Sequence, residues 1–410
     1  MQKNVSSSCH LAFLTLVSIA AGCDSNLVGG EGTERPLAIQ SNSVASPEGP
    51  QPDYIDARGT HYTWVRKATY VAAREPDREV VVNPTGVPPV EWFPRDAYRL
   101  AELLRARMLI NGHEYISSEP NIEMARRILS GTLEAKVAGD RGTASTVSMS
   151  KSEVEVRTSA YVIGSDNRVP VPPCQRTNYP QRINFNVKNG VRGGVTLDNG
   201  VCSATLIGPN IALTAAHCLY NNGWVGPLKF VPSDDAFGYQ NPGAGCGAGA
   251  PFGEFVANAG VPNGFSTGDS TPQYDFAFLD FSPYGPTPSD FGLGWAGTDP
   301  NHGSMGTREM YGYGPLGTTV PKMSWKTGYL GGPPWPWNTA SWAWDHLLDI
   351  VVGDSGAGLF YTGSDGMPYV VGNQTREQGA WDFGSWIYWN RARQFDGTVH
   401  NFIHTFANWP

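Results

Sequence analysis

The sequence predicts an all-β protein, and three observations carry that expectation. Glycine (49) and proline (32) are abundant, while charged residues make up only 16% of the 410. Such a composition suits short strands and turns rather than helical bundles, coiled coils or charged disordered tails. From Val162 onward, short apolar runs alternate with Gly, Pro, Asn and Asp, the pattern of strands bounded by turns. Helical spacing is confined to two stretches upstream and to the C-terminus. The length fits two folded parts with tails. A net charge of −8 with only 29 Lys and Arg gives no electrostatic footprint for a phosphate backbone, so no nucleic-acid partner is expected.

The N-terminus carries Lys3, a polar stretch and an apolar run over 11–21, closing on Ala20, Ala21 and Gly22. That run is too short to span about 30 Å of hydrocarbon as a helix and reads as an export signal, 1–22. Cys23 stands where bacterial lipoproteins carry their lipidated cysteine, and the segment resembles such a signal. A lipid on Cys23 is the one membrane contact expected, at the cell envelope or lost on secretion after processing. Residues 23–59 are rich in Ser, Gly, Pro, Gln and Glu without apolar period and read as a flexible tether.

Residues 60–161 read as a small α-containing unit. RDAYRLAELLRARMLI at 95–110 places Tyr98, Ala101, Leu104 or Arg105, and Met108 at helical spacing, with Asn111-Gly112 as its end. A second helix is expected from Pro120 to Leu129, with Gly131 just past it. Charge density then halves: 35 charged side chains among the 138 residues of 24–161, against 30 among the 249 of 162–410. That shift marks a boundary at 158–162.

Downstream, CSATLIGPNIALTAA at 202–216, YDFAFLDF at 274–281 and YVVG at 369–372 read as strands, with Gly208-Pro209-Asn210 turning one hairpin. HNFIHTFANW at the end puts Phe402, Ile403 and Phe406 on one helical stripe. Beyond Cys9 in the signal and Cys23, four cysteines remain, as befits two disulfides in an exported chain. Cys202 and Cys218 flank the hairpin that leads to His217, so bridging them fixes that loop and leaves Cys174 with Cys246. No zinc spacing accompanies them, and no metal is expected.

Three strings carry chemistry: TAAHC at 214–218, YDFAFL at 274–279 and GDSGAG at 353–358. Nucleophilic catalysis by serine needs a hydroxyl, an imidazole to take its proton and a buried carboxylate to hold the imidazole's tautomer. Ser355, His217 and Asp275 supply one of each. Asp275 is preferred to Asp280 because FAFL follows it directly; Asp280 is expected to face solvent. The glycines let the backbone turn tightly, so that the amides of Gly353 and Ser355 form an oxyanion hole.

These strings, their order and their separations of 58 and 80 residues resemble the trypsin-like serine peptidases of the chymotrypsin fold, over 162–410. The resemblance implies a double β-barrel with a C-terminal helix, and a serine endopeptidase acting on proteins or peptides without a cofactor. VIGSDNR at 162–168, Gly223-Trp224 and Gly312-Tyr313-Gly314 are similar to the bacterial glutamyl-endopeptidase branch. In that branch Val162 would become the mature α-amino terminus, making 60–161 a propeptide that assists folding or blocks the cleft. Specificity-pocket positions would be Asp349, Ile350 and Gln374, but Ile350 and Gln374 replace the Thr and His with which that branch holds a substrate carboxylate. Asp354 has two readings, a turn former that caps the oxyanion loop or the partner of a freed N-terminal amine. The first is favoured, since no Ile-Val-Gly-Gly string precedes His217 at the expected distance. The Trp-rich stretch WPWNTASWAW at 335–344 is expected to pack inside a loop. The rival to an enzyme is a non-catalytic surface lipoprotein that uses the same scaffold for binding; its signature would be a missing triad member, and none is missing.

Overall fold

Two closed barrels follow from the way short alternating strands must pair once no long helix covers them. The computed structural model describes residues 49–71, 79–82, 93–144, 167–172, 175–189, 191–192, 195–196, 200–234, 250–265, 271–302, 306–314, 323–330, 342–346, 348–382, 385–407 and 409. The expected signal, Cys23 and most of the tether lie outside the described residues, as do Val162, the 158–162 boundary, Cys174 and Cys246. Those described all fall within one unit, Val44–Pro410. None of their helices is long and apolar enough to cross a membrane.

In the first barrel, strand Asn258–Pro262 pairs with Ala277–Asp280, followed by Ile211–Thr214, Gly200–Leu206, Asn184–Asn189 and Leu228–Pro232. A bridge between Phe230 and Phe255 closes it, with reciprocal backbone bonds of 3.1 and 2.9 Å. Phe281 sits at its centre, 5.4 Å from Phe185 and 5.8 Å from Phe230 between ring centroids. The second barrel runs Pro368–Asp382, Gly358–Thr362, Gly306–Gly312, Ser324–Leu330, Ala343–His346, Ser385–Gln394, and the last strand pairs back on the first. Met310, Leu348, Leu359 and Val371 fill it. The predicted Gly208-Pro209-Asn210 hairpin joins two first-barrel strands, with Leu206 opposite Ala212.

The upstream segment contains both predicted helices and more strand than its sequence suggests. Helix α1 (Ala97–Leu103) starts at an Asp96 cap whose carboxylate accepts from Arg99 N. It stops at Leu104, short of the predicted end. Residues Ala106–Ile110 are instead a strand, paired on one side with His113–Ser117 and on the other with Asn258–Pro262 of the first barrel. The same residues carry a two-residue alternation, with Ala106, Met108 and Ile110 buried, and pairing to the side of Asn258–Pro262 not taken by Ala277–Asp280 wins over helical spacing. Asn111-Gly112, both at positive φ, therefore turns a hairpin rather than ending a helix. Helix α2 (Ile122–Ser130) is capped by Asn121 and closed by Gly131 in the left-handed conformation, as expected. Leu100, Ala101, Leu104 and Met124 join the same buried cluster as Phe278 and Phe402. The sheet thus continues from the barrel through four upstream strands.

Helix α3 (Gly397–Phe406) begins three residues earlier than the apolar stripe indicated, because Asp396 caps it through Thr398 N and Val399 N. Its Phe402 packs edge-on to Phe276 at 5.4 Å, directly beneath the strand that follows Asp275. Of the Trp-rich stretch, 335–341 lies outside the described residues; Trp342 is buried, and Trp344 donates to Val371 O at 3.1 Å.

Candidate active site

The antiparallel pairing of Ile211–Thr214 with Ala277–Asp280 sets Thr214 opposite Ala277. Beyond that pair both chains leave the sheet, one into the turn Ala216–Cys218 and the other from the turn Pro272–Tyr274. His217 and Asp275 therefore meet where the two strands end. The carboxylate is fully buried. Asp275 Oδ1 accepts His217 N at 3.0 Å, and Oδ2 lies 2.9 Å from His217 Nδ1. A carboxylate on Nδ1 places that ring proton there and leaves Nε2 to accept another.

Burial by itself raises the pKa of Asp275. The His217 charge and hydrogen bonds, together with the Arg376 guanidinium 3.9 Å away, outweigh it and hold the carboxyl below the usual range. Asp280, one strand-length on, is half-buried and accepts Ser282 N at 2.9 Å; it stands apart from the imidazole.

Ser355 lies in a loop hung from the first barrel. Ser203 N donates to Ser355 O at 2.7 Å, while Ser203 Oγ donates to Gly353 O at 2.8 Å and accepts from Tyr313 N at 2.9 Å. Gly353 (φ +97) and Gly356 (φ +83) both adopt backbone that disfavours a side chain. At Gly356 a Cβ would also fall 2.2 Å from Ser203 O and from Thr214 Oγ1. The glycine after the nucleophile lets the loop press directly against the strand that leads to His217.

Neighbouring Cys202 forms a disulfide with Cys218, Cα atoms 5.9 Å apart. Cys218 Sγ lies 3.8 Å from His217 Nε2 and 3.6 Å from Ser355 O. One strand thus anchors both loops, Cys202 holding the histidine turn and Ser203 the serine turn. Cys202, His217 and Cys218 form the one group with metal-ligand spacing among the described residues, but a disulfide offers no thiolate.

Asp354 supports its first reading. Its Oδ2 accepts Val351 N at 2.9 Å and its Oδ1 accepts Gly314 N at 3.1 Å. The pocket positions are all buried: Asp349 accepts Asn167 N at 2.7 Å, Ile350 joins the second-barrel core, and Gln374 Oε1 lies 2.8 Å from His346 Nε2. Burial pushes His346 down to about 4, so it is a neutral ring at ordinary pH. Ser203, Lys326, His346 and Arg376 escaped the sequence reading. Each works through a partner more than 25 residues distant, which no local string encodes.

The family description "Trypsin" matches residues 168–240, the stretch that supplies His217, Cys202 and Ser203. The chain is similar to that family over those residues. The two closed barrels with the His217–Asp275 pair at their junction are the chymotrypsin-like architecture expected of it. Comparison with curated proteins finds no match. Among solved structures, a Glu endopeptidase in complex with MPD is 20% identical, covering 60% of this chain and 98% of its own, with a TM-score of 0.40. The protease Anisep from Arthrobacter nicotinovorans is 18% identical, covering 55% and 94%, with a TM-score of 0.40. A thermostable serine protease, AL20, from an extremophilic microorganism is 16% identical, covering 55% and 96%, with a TM-score of 0.35.

Proposed function

We propose that this chain is a serine endopeptidase, exported through its N-terminal signal, tethered by a lipid on Cys23 and made as a precursor cut ahead of Val162. Ser355 Oγ attacks a peptide carbonyl while His217 Nε2 takes its proton. Asp275 keeps the other ring nitrogen protonated and stabilises the imidazolium. The amides of Gly353 and Ser355 receive the oxyanion, His217 returns the proton to the leaving amine, and water then releases the acyl group by the same steps. Because the imidazole must be uncharged to take the proton, activity is lost in acid. Proteins and peptides are the substrates, and no cofactor enters the chemistry.

The observation that carries this reading is the buried Asp275 carboxylate on His217 Nδ1, with the GDSG loop clamped to the adjoining strand. A fluorophosphonate probe tests it. Covalent capture at Ser355 is expected in the processed chain and none in Ser355→Ala, whose turnover falls by several powers of ten, roughly 10⁶-fold for such a nucleophile. A properly folded, processed wild-type chain that stays unlabelled would overturn the reading.

A further inference from the structure

The oxyanion loop contains a buried acid, Asp354, immediately before the nucleophile, and its charge must be matched inside the protein. Both Asp354 and Lys326 are shut off from solvent, and the Lys326 ammonium is ion-paired with Asp354 Oδ2. Lys326 comes from strand Ser324–Leu330, opposite Met310 of Gly306–Gly312, so it approaches from the barrel wall rather than from the loop it serves. Two ions buried together persist only when their mutual attraction and added hydrogen bonds repay desolvation. Here the carboxylate also accepts Val351 N and Gly314 N.

The surrounding chain is shaped to admit the pair. A Cβ on Gly312 would fall 2.2 Å from Asp354 Oδ1 and 3.2 Å from Lys326 Nζ. A Cβ on Gly314 would fall 1.9 Å from Val351 Cγ2 and 3.1 Å from Asp354 Oδ2. The Gly-Tyr-Gly string at 312–314 is therefore a notch for the ion pair. Tyr313 between the glycines ties the notch to the first barrel, donating to Asn184 O at 3.0 Å. Through Val351 N and Gly314 N, the held carboxylate fixes the loop from which Gly353 and Ser355 direct their amides.

We propose that Lys326 is a positioning residue for catalysis: its ammonium holds Asp354, and so the oxyanion loop, in working shape without help from a newly freed α-amine. This rests on the serine-peptidase reading above. Processing ahead of Val162 would then govern access to the cleft rather than the shape of the oxyanion loop.

The test uses the full-length chain after natural processing and reads the second-order rate of fluorophosphonate capture at Ser355. Lys326→Met is expected to lower that rate and kcat by roughly 10²- to 10³-fold, the scale of a lost oxyanion donor, with KM for a peptide substrate little changed. Lys326→Arg, which keeps the cation, is expected to recover much of the loss. Capture by Lys326→Met at the wild-type rate would overturn the proposal.

A second arm needs no variant, so it stands even if Lys326→Met does not fold. Cyanate treatment near neutral pH neutralises the new α-amine of the wild-type enzyme, with mass spectrometry locating the modification there and not on Lys326 or Ser355. Capture is expected to proceed at the untreated rate; its loss on α-amine modification would overturn the proposal. Absence of capture in untreated, processed wild type would instead defeat the peptidase reading itself.

Discussion

At the scale of single residues, the site's electrostatics are asymmetric. Asp275 sits on the imidazole fully buried, and although burial raises its pKa, the His217 charge and side-chain hydrogen bond, then Arg376 and the His217 backbone, outweigh this and keep it charged. Replacing it by Asn preserves shape but lets the amide stabilise the wrong ring tautomer, with a donor where the acceptor stood. Asp275→Asn is therefore expected to reduce kcat/KM at neutral pH by about 10⁴-fold, with an unchanged circular dichroism spectrum; a rate like wild type would contradict its role. These three candidates could be named from the sequence because each sits in its own local string: small residues before His217, an apolar run after Asp275, glycines around Ser355. Ser203 and Lys326 were not legible. A serine in CSATL and a lysine in SWKTGYL look like ordinary strand residues until the barrels close and bring them to the GDSG loop.

At the scale of elements, the upstream segment is where sequence and structure part most. Its helices were visible because Tyr98, Ala101 and Leu104 recur at helical spacing and because Pro120 and Gly131 are local start and stop signals. The strand Ala106–Ile110 was not, because what decides it is the side of Asn258–Pro262 not taken by Ala277–Asp280, some 150 residues later. Pairing runs from Ala106 to Leu109, and Arg107 adds a 2.8 Å bond to Asn263 Oδ1. On the other side Asn401 of α3 donates to Glu134 Oε1 at 2.7 Å, and Arg182 donates to Ala144 O at 2.7 Å. A segment held by a sheet edge and a shared apolar core does not leave when one peptide bond is cut. After cleavage ahead of Val162, the fragment containing 97–144 is expected to co-elute with the peptidase portion on native size exclusion and to separate only in denaturant. Elution of an active peptidase portion without that fragment would contradict this.

At the scale of the whole molecule, acid should begin to destabilise this protein before its carboxylates are titrated. Burial is the leading cause that holds His113, His302, His346, His400 and His404 below the ordinary imidazole value, with His346 and His400 pushed down to about 4. His346 is enclosed by Gln374 and Leu348 N and feels the Lys326 charge, while His400 faces Glu134, His404 and Arg127. In the unfolded chain each ring takes up a proton near pH 6.5. Between about 6.5 and about 4 the unfolded state therefore binds protons that the folded state refuses, and stability falls as pH falls through that window. For fully enclosed His346 the slope approaches about 1.4 kcal/mol per pH unit; for His400, nearer solvent and beside Glu134, it is smaller. Asp275 acts at lower pH, since its depressed pKa gives stability that is complete above the unfolded carboxyl value and lost only as pH drops through the folded one. Urea midpoints measured from pH 7 to pH 4 on Ser355→Ala, which cannot digest itself, are expected to decline steadily across the histidine window. In His346→Gln the decline should be shallower. A midpoint constant from pH 7 to pH 5 would show that these rings are not held neutral by the fold, and would separate the loss of activity on protonating His217 from any loss of structure.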